Sequence, residues 1–282
     1  MRSFAFALPL VLLFAGVPAR AADVMFGELP PGAASTNVVR DVGAEICRDH
    51  LFDPSRVEAK LPEGYRFILA SEYAREDPGV AELLRRQPKF SAYGVGSLCF
   101  MSVGSFEADS LRMHSAEPTP MAFWWARAEG PRDARMKGKV EWVQLASWYS
   151  RDITLRSQVQ ATDPTARFVD IQVNQVEPRL WRMRLVLPDE SIEAEVRGDG
   201  ERKKRSAPEP GFMSVPFAGQ AAGSFWVITY FGHHHQGAEG RWRARGHGVF
   251  HDSFRISGEA AAFRTAFQDG WSARSGLYRS EP

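Results

Sequence analysis

The 282-residue sequence lacks an excess of charge of either sign. Lysine and arginine together number 35, against 34 aspartate and glutamate residues. A general nucleic-acid binder needs a basic excess to neutralise phosphates, so that class is excluded. A disordered chain is excluded because 44% of the residues are hydrophobic and 12% aromatic. No heptad array and no repeat of about 20 to 50 residues is present, which excludes coiled coils and solenoids.

Long apolar runs are also missing, except at the N-terminus. Residues 4–17 are almost uninterruptedly apolar, follow the positively charged Arg2 and lead to a small-residue stretch that ends at Ala21. This order is typical of a secretory signal peptide cleaved after Ala21. A single membrane anchor is the alternative, but the run is shorter than the roughly 20 residues that cross a bilayer. We therefore expect a soluble mature protein, periplasmic or secreted, without a membrane span.

Cysteine is scarce, with Cys47 and Cys99 as the two residues of this type. In an oxidising compartment two thiols of one domain tend to pair, so the sequence predicts a disulfide between them. Two separate free cysteines are the alternative. A nucleophilic cysteine would need an activating histidine nearby, and the local sequence gives no sign of one.

Lysine is scarce as well, with six residues against 29 arginines. Lys203 and Lys204 are adjacent, and adjacent ammonium groups can lower each other's pKa enough to leave one amine nucleophilic in a dry pocket. The pair lies within the charged run 201–205. A run of this kind is typical of a solvated loop, which is the alternative interpretation.

Local start signals place short helices before a strand-rich body. Residues 22–34 are rich in alanine, proline and glycine and indicate a flexible leader. A stripe of valine and isoleucine predicts a helix over 35–46, and Asp-Pro signals predict helices over 53–61 and 77–87. A further helix over 257–270 closes the chain.

From residue 91 onward the pattern changes to short strands between turns. The candidate strands are 93–103, 121–127, 139–149, 167–173, 180–187, 192–196, 225–231 and 241–250. In 168–174 and 180–187 apolar and polar residues alternate, which is typical of antiparallel strands with one wet face. The sequence predicts an α+β fold in a single β-rich domain over 35–282. Its large antiparallel sheet closes into a barrel or cone, with short N-terminal helices and a C-terminal helix.

Side chains that could carry chemistry concentrate near the C-terminus. Glycines at 237–240 predict a hairpin turn between the last two candidate strands. One face of this hairpin gathers Trp226, Tyr230, Arg243, Arg245, His247 and His251. Arginine binds carboxylates with two donors and aromatic rings supply an apolar wall, so this face predicts a pocket for a small, partly apolar organic anion. A solvated basic strand is the alternative, and a shift of one residue would exchange the two faces.

Two other polar features are less informative. The histidine run 233–235 does not predict a metal site, because alternation leaves at most two imidazoles on one side and supplies no third ligand. Glu141 lies in an aromatic strand and would have a raised pKa if half-buried. An exposed glutamate at the edge of the sheet is the alternative.

Three short motifs follow one another in the first hundred residues: DPSRV at 53–57, KLPEGY at 60–65 and GVGSL at 94–98. Their order resembles the opening of the acetoacetate decarboxylase-like superfamily. The stretch 143–173 is similar to the middle of such proteins. The resemblance implies an antiparallel β-cone around an internal pocket. For the decarboxylase itself it implies a Schiff-base lysine beside a second lysine, with arginine and glutamate helpers. The Lys203-Lys204 pair departs from that pattern, since it falls late and lacks apolar flanks.

These observations leave two main function classes. The first is an exported, lyase-like or decarboxylase-like enzyme acting on a small organic acid or another hydrophobic anion. The second is a non-catalytic periplasmic binding or carrier protein that uses the same pocket, and a partner-binding β-protein is a weaker third. In the enzyme, the anion would be bound by Arg243, Arg245, Tyr230 and Trp226. The proton would be transferred by His247, His251 or Glu141. An imine would form on Lys203 or Lys204. No cofactor, metal or nucleic acid is expected.

Overall fold

The computed structural model describes residues 25–57, 61–137, 140–205, 210–219, 223–257 and 265–280. The strands are β1 (Ser35–Phe52), β2 (Arg66–Phe67), β3 (Gly94–Ala108), β4 (Leu111–Glu129), β5 (Trp142–Ser150), β6 (Ala166–Glu177), β7 (Leu180–Val186), β8 (Glu190–Arg205), β9 (Gly211–Pro216), β10 (Ser224–Phe231), β11 (His233–Gly246), β12 (Thr265–Asp269) and β13 (Trp271–Arg279). The helices are α1 (Ala70–Tyr73), α2 (Pro78–Arg86), α3 (Arg156–Thr162) and α4 (Val249–Ser257), and two 3₁₀ turns span Pro54–Arg56 and Pro88–Ala92.

Nine strands form a closed barrel. Their order is β12-β11-β8-β7-β6-β5-β4-β3-β1, and the pairing of β1 with β12 closes the ring. Neighbours are antiparallel except for β5 and β6, which are parallel and are connected through α3. The β-dominated α+β fold with a sheet that closes into a barrel, predicted from the sequence, is confirmed.

The barrel interior is packed with side chains. One buried apolar cluster receives residues from all nine strands, so it occupies the inside of the ring. Side chains that alternate between the two faces of a strand explain this packing. On β7, for example, Trp181, Met183 and Leu185 are buried, whereas Arg182 and Arg184 are exposed. Helix α4 adds two phenylalanines, Phe250 and Phe254, to this cluster.

Strand β1 connects two parts of one continuous sheet. Its C-terminal half pairs with β12, where Glu45 lies opposite Gln268, and its N-terminal half pairs with β13, where Ser35 lies opposite Leu277. Between the halves the register shifts, and Asp41 has a positive φ of 54°. A bulge of this kind bends a strand. The bend allows β13, with β10 and β9 beyond it, to form a C-terminal sheet outside the barrel.

The C-terminal sheet is covered on both faces. Its inner face packs against the outer wall of the barrel in a second apolar cluster, to which Trp226 contributes from the sheet and Phe123 from the wall. Residues 25–34, which have no regular secondary structure, contact its outer face. There the Gly27 N–H donates to Thr229 Oγ1 over 3.0 Å. The Tyr278 hydroxyl donates to a backbone oxygen of the same segment over 2.6 Å.

The helix predicted over 35–46 is wrong, because this segment is the first half of β1. All four residues of its stripe, Val38, Val39, Val42 and Ile46, are β-branched and favour a strand over a helix. Both edges of the segment find partner strands, β3 and β13. Pairing on two sides therefore decides the local structure.

The other helix predictions have mixed outcomes. The helix predicted over 77–87 is confirmed as α2, whose N–H groups of Gly79 and Val80 bond the Asp77 side chain. The segment 53–61 contains, among its described residues, a single 3₁₀ turn. The helix predicted over 257–270 is wrong, because α4 ends at Ser257 and β12 occupies Thr265–Asp269; residues 258–264 lie outside the described part.

No helix in the described part of the chain combines the length and apolar character needed to cross a membrane.

Candidate functional site

A cavity of about 410 Å³ lies between the outer wall of the barrel and the inner face of the C-terminal sheet. The wall contributes residues of β1, β3, β4 and β5, and the sheet contributes residues of β9, β10 and β13. Its size is within the range of small-molecule sites. Eight aromatic side chains form much of its lining: Phe106, Phe123, Trp125, Trp142, Tyr149, Trp226, Tyr230 and Trp271.

Strand alternation places these rings. On β4, Trp124 points into the barrel cluster, whereas Phe123 and Trp125 point outward to the cavity. On β10, Trp226 and Tyr230 face the cavity from the opposite side. Because side chains two apart share a face, a barrel strand covered on its outside presents one row of residues to each compartment. The cavity is thus a gap between two layers rather than the inside of the barrel.

Glu45 places a carboxyl group in this lining. The residue is 7% exposed and lies on β1 opposite Met101 of β3 and Gln268 of β12. Burial disfavours the charged form and raises the pKa of Glu45 from 4.5 to about 7, and the neighbouring Trp271 indole opposes the shift. No described residue forms an ion pair with this carboxylate. At neutral pH Glu45 can therefore either accept or release a proton.

Asn37 adds a buried acceptor to the same cavity. Its side-chain nitrogen donates to Thr162 Oγ1 over 3.0 Å, and the Thr162 hydroxyl itself donates to the carbonyl oxygen of Val159 or Gln158. Since that hydroxyl has one proton, it must accept from the amide, and this fixes the amide orientation. Asn37 Oδ1 is then left buried without a partner among the described residues. An unpaired buried acceptor beside a cavity indicates a site for a donor.

The charged groups of the lining are both acidic. Of the described residues that line the cavity, none is a lysine, arginine or histidine, and Glu45 and Glu141 are the charged ones. Glu141 Oε2 lies 3.5 Å from Arg127 Nη1, so this second carboxylate has a cationic partner outside the lining. The Arg127 guanidinium in turn lies over the Trp142 ring, 4.3 Å from its centroid. The lining is therefore apolar with a negative bias, which suits a neutral or cationic guest better than an anion.

Tyr149 is held rigidly at the cavity wall. Its hydroxyl donates to Asp163 Oδ2 over 2.9 Å, and Asp163 also accepts from the side chains of Gln144 and Thr165. Burial raises the pKa of Asp163, which its hydrogen bonds partly oppose. Burial of Tyr149 itself, followed by the neighbouring Asp163 carboxylate, holds the pKa of Tyr149 well above its ordinary value. This network fixes the wall and leaves the Tyr149 hydroxyl occupied.

The predicted disulfide between Cys47 and Cys99 is confirmed. The two residues lie directly opposite each other on β1 and β3. Cys47 Sγ is 3.8 Å from Glu45 Oε1, so the disulfide borders the buried carboxyl group. Glu45 and the two sulfurs are close enough to each other for metal ligation. Because the sulfurs are bonded to one another, they offer no thiolate to a metal.

The predicted site residues are divided by the fold. Trp226, Tyr230 and Glu141 line the cavity. Arg243 and Arg245 are exposed on the outer face of β11, where Arg245 lies 4.0 Å from the Glu193 carboxylate of β8.

The hairpin that was predicted to unite these groups is wrong. Residues 237–240 lie within the continuous strand β11, which pairs with β8 and β12. Strand β10 instead pairs with β9 and β13. Arg241 and Arg243 border an exposed groove together with Glu193 and Glu195 of β8. Arg182 and Arg184 of β7 border the same groove, so four arginines meet two glutamates there and the groove carries a net positive charge. All six of these charged residues are exposed, which makes the groove part of the solvated surface rather than an enclosed pocket.

The remaining candidates lie outside the cavity lining. His247 is exposed after β11, and His251 lies in α4, where its Nδ1 is 3.3 Å from Asp252 Oδ1. Lys203 is exposed on β8. Lys204 lies opposite His234 in the β8–β11 pairing, and its side chain is outside the described part, as are those of His233 and His235.

His50 is a buried titratable group that the sequence reasoning did not single out. It is fully buried in the barrel interior, with its ring 5.5 Å from that of Phe250 and 5.7 Å from that of Phe254. Its Nδ1 lies 3.3 Å from the Arg48 carbonyl oxygen, to which the neutral ring can donate. Burial lowers the pKa of His50 to about 4, so the ring is neutral at physiological pH.

Comparison with known proteins gives a fold-level result. No family model matches the chain, and no curated protein matches it in sequence. Among solved structures, the chain is similar to an acetoacetate decarboxylase-like enzyme from Sphingomonas wittichii RW1, with 10% identity, a TM-score of 0.44, and coverage of 89% of this chain and 94% of that one. It is also similar to the enduracididine biosynthesis enzyme MppR complexed with pyruvate, with 11% identity, a TM-score of 0.42, and coverage of 89% and 91%. Similarity at this level concerns the fold alone and carries no information about activity.

Proposed function

We propose that this protein binds a small, mostly apolar molecule in the cavity between the barrel and the C-terminal sheet, and that the polar end of this ligand donates hydrogen bonds and is neutral or positively charged. The observation that carries the proposal is the polarity of the lining. Asn37 Oδ1 is buried without a described partner, and the Glu45 carboxyl has no described ion pair. Eight aromatic rings supply the apolar wall, and their faces attract cations.

This proposal revises the anionic ligand expected from the sequence. That expectation relied on Arg243 and Arg245, which are exposed on β11 and do not line the cavity. A carboxylate guest would meet Glu45 and Glu141 without a described cation in the lining. Like charges in a partly dry cavity repel each other more strongly than in water. Ligand binding, which both function classes named from the sequence require, is accordingly the function that the geometry supports best.

Three ligands of similar shape test the proposal: naphthylmethylamine, naphthylmethanol and naphthylacetate. Their dissociation constants are measured by isothermal titration calorimetry at about pH 8, which is above the pKa of Glu45. We expect the amine to bind tightest and the acetate weakest. A charge-assisted hydrogen bond to a buried carboxylate corresponds to about a tenfold difference in Kd or more. Tightest binding of the acetate would contradict the proposal.

A pair of substitutions localises the effect. Glu45→Gln keeps the shape of the side chain and should remove the preference for the amine over the alcohol. Glu193→Gln makes the same chemical change at an exposed position of β8 and should preserve that preference. If both variants behave alike, the cavity is not where these ligands bind.

Export is part of the proposal. The Cys47–Cys99 disulfide supports it, because such bonds persist in oxidising compartments. Mass spectrometry of the protein isolated from its source should give a chain that begins at Ala22. A chain that retains residues 1–21 in the cytosol would contradict export and leave the binding proposal unaffected.

A further inference from the structure

We propose that the cavity is also a general-base site, in which the Glu45 carboxylate removes a proton from a carbon acid held against the aromatic wall. This inference rests on the proposed binding function, since the same group that accepts a hydrogen bond from a ligand can remove the donated proton. The expected substrates are small, mostly apolar molecules with a C–H bond activated by a carbonyl group or a heteroaromatic ring.

The geometry supplies what a carboxylate base needs. Glu45 is 7% exposed, so little water competes for its oxygens. The apolar Met101 lies opposite it on β3, and the Trp271 indole of the C-terminal sheet is its neighbour. Met121 and Trp226 line the same cavity. A weakly solvated carboxylate is a stronger base than one in water, because its charge is stabilised less before the proton is transferred.

The neighbouring titratable groups leave this role to Glu45. Glu141, which directly precedes β5, is paired with Arg127, and on β5 the Tyr149 hydroxyl donates to Asp163. From β10, Tyr230 also lines the cavity.

The elements paired with Glu45 add no competing base to the cavity. Its partners on β3 and β12 are Met101 and Gln268, and the next β12 residue, Asp269, lies 3.5 Å from His234. On β1 itself, Cys47 is oxidised in the disulfide. The raised pKa of Glu45, about 7, supports the assignment, since a base is most effective when its pKa is near the working pH.

The proposed step conserves atoms and electrons without a further reactant. The C–H bond of the substrate breaks, an O–H bond forms on Glu45, and the electron pair moves into the adjacent unsaturated system. In an isomerisation the same proton returns to a different carbon of the substrate. In an elimination the pair expels a leaving group, and Glu45 later releases its proton to water.

The opening of nitrobenzisoxazole to the cyanonitrophenolate tests the inference, because this reaction needs one base and forms a coloured product. In it the base takes the ring C–H proton and the N–O bond breaks. We expect turnover by the full-length protein that rises with pH with a midpoint near 7. Glu45→Gln should lower the rate by about 100-fold or more. Glu45→Asp should keep a single-base pH profile at a lower rate, and Glu193→Gln should match the unmodified protein.

Binding measured in parallel separates this inference from the proposed function. If naphthylmethanol binds but turnover is absent, or is unchanged in Glu45→Gln, the base assignment is overturned and ligand binding stands. If none of the three naphthyl ligands binds and no Glu45-dependent turnover occurs, both are overturned. A midpoint near that of a free carboxyl group, about pH 4, would also overturn the assignment of Glu45 as the base.

Discussion

Replacing Glu45 by glutamine should change how the stability of the protein depends on pH. In the folded protein the pKa of Glu45 is about 7, whereas its ordinary value is 4.5. The folded state therefore binds the proton more tightly than the unfolded state, and the stabilisation is fully present below about pH 4.5. It is lost as the pH rises through about 7. At about 1.4 kcal/mol for each pH unit between the two values, the loss is roughly 3 kcal/mol.

Urea unfolding of the two proteins at a series of pH values measures this directly. The free energy of unfolding of Glu45→Gln minus that of the unmodified protein should increase between about pH 4.5 and 7 and then level off, by roughly 3 kcal/mol in total. Taking the difference removes the contributions of other titrating groups. Glu193→Gln should give a nearly flat difference, because Glu193 is exposed. A flat difference for Glu45→Gln, or a change of opposite sign, would refute the burial at this position of a carboxyl group that has no ion pair among the described residues.

Three other predictions concern the barrel and its wall. The first is His50→Phe. As the pH falls from about 6.5 to 4, the free energy of unfolding of the unmodified protein should decrease by about 3 kcal/mol relative to that of the variant, because the folded state disfavours protonated His50. Equal acid sensitivity of the two proteins in urea unfolding would contradict this. Replacing Cys47 and Cys99 together by alanine should lower the free energy of unfolding by about 4 kcal/mol, since the disulfide closes a loop with a sequence separation of 52. An unchanged midpoint in urea would exclude a stabilising contribution of the disulfide. Asp163→Asn should cost about 1–3 kcal/mol, because an amide cannot accept every hydrogen bond that the buried carboxylate accepts, and thermal unfolding checks this.

Much of the fold could be predicted from local patterns. Alternation over 168–174 and 180–187 predicted β6 and β7 with one wet face, because a side-chain period of two is written directly into the sequence. The Asp77-Pro78 start signal predicted α2 because it is also local: a helix cap acts on backbone groups within three residues of itself. Helix predictions failed where long-range pairing decided the outcome, as in the first half of β1.

The candidate site divides in the same way. Trp226, Tyr230 and Glu141 could be singled out because aromatic and acidic residues in strands are visible in the sequence. Glu45 and Asn37 were missed because the segment 35–46 was interpreted as a helix, although a glutamate between Ala44 and Ile46 is a signal of a polar group in an apolar strand.

The amino-acid sequence by itself determined the strand-rich class, the single pair of cysteines, and which residues can be charged or aromatic. Only the tertiary structure decided that β11 runs through 237–240 without turning, that its arginines face water, and that a bend at Asp41 carries the C-terminal sheet over the barrel. The physical reason is that partner choice between strands depends on residues far apart in the chain. The cavity, and the burial that raises the pKa of Glu45, exist only once those partners are in place.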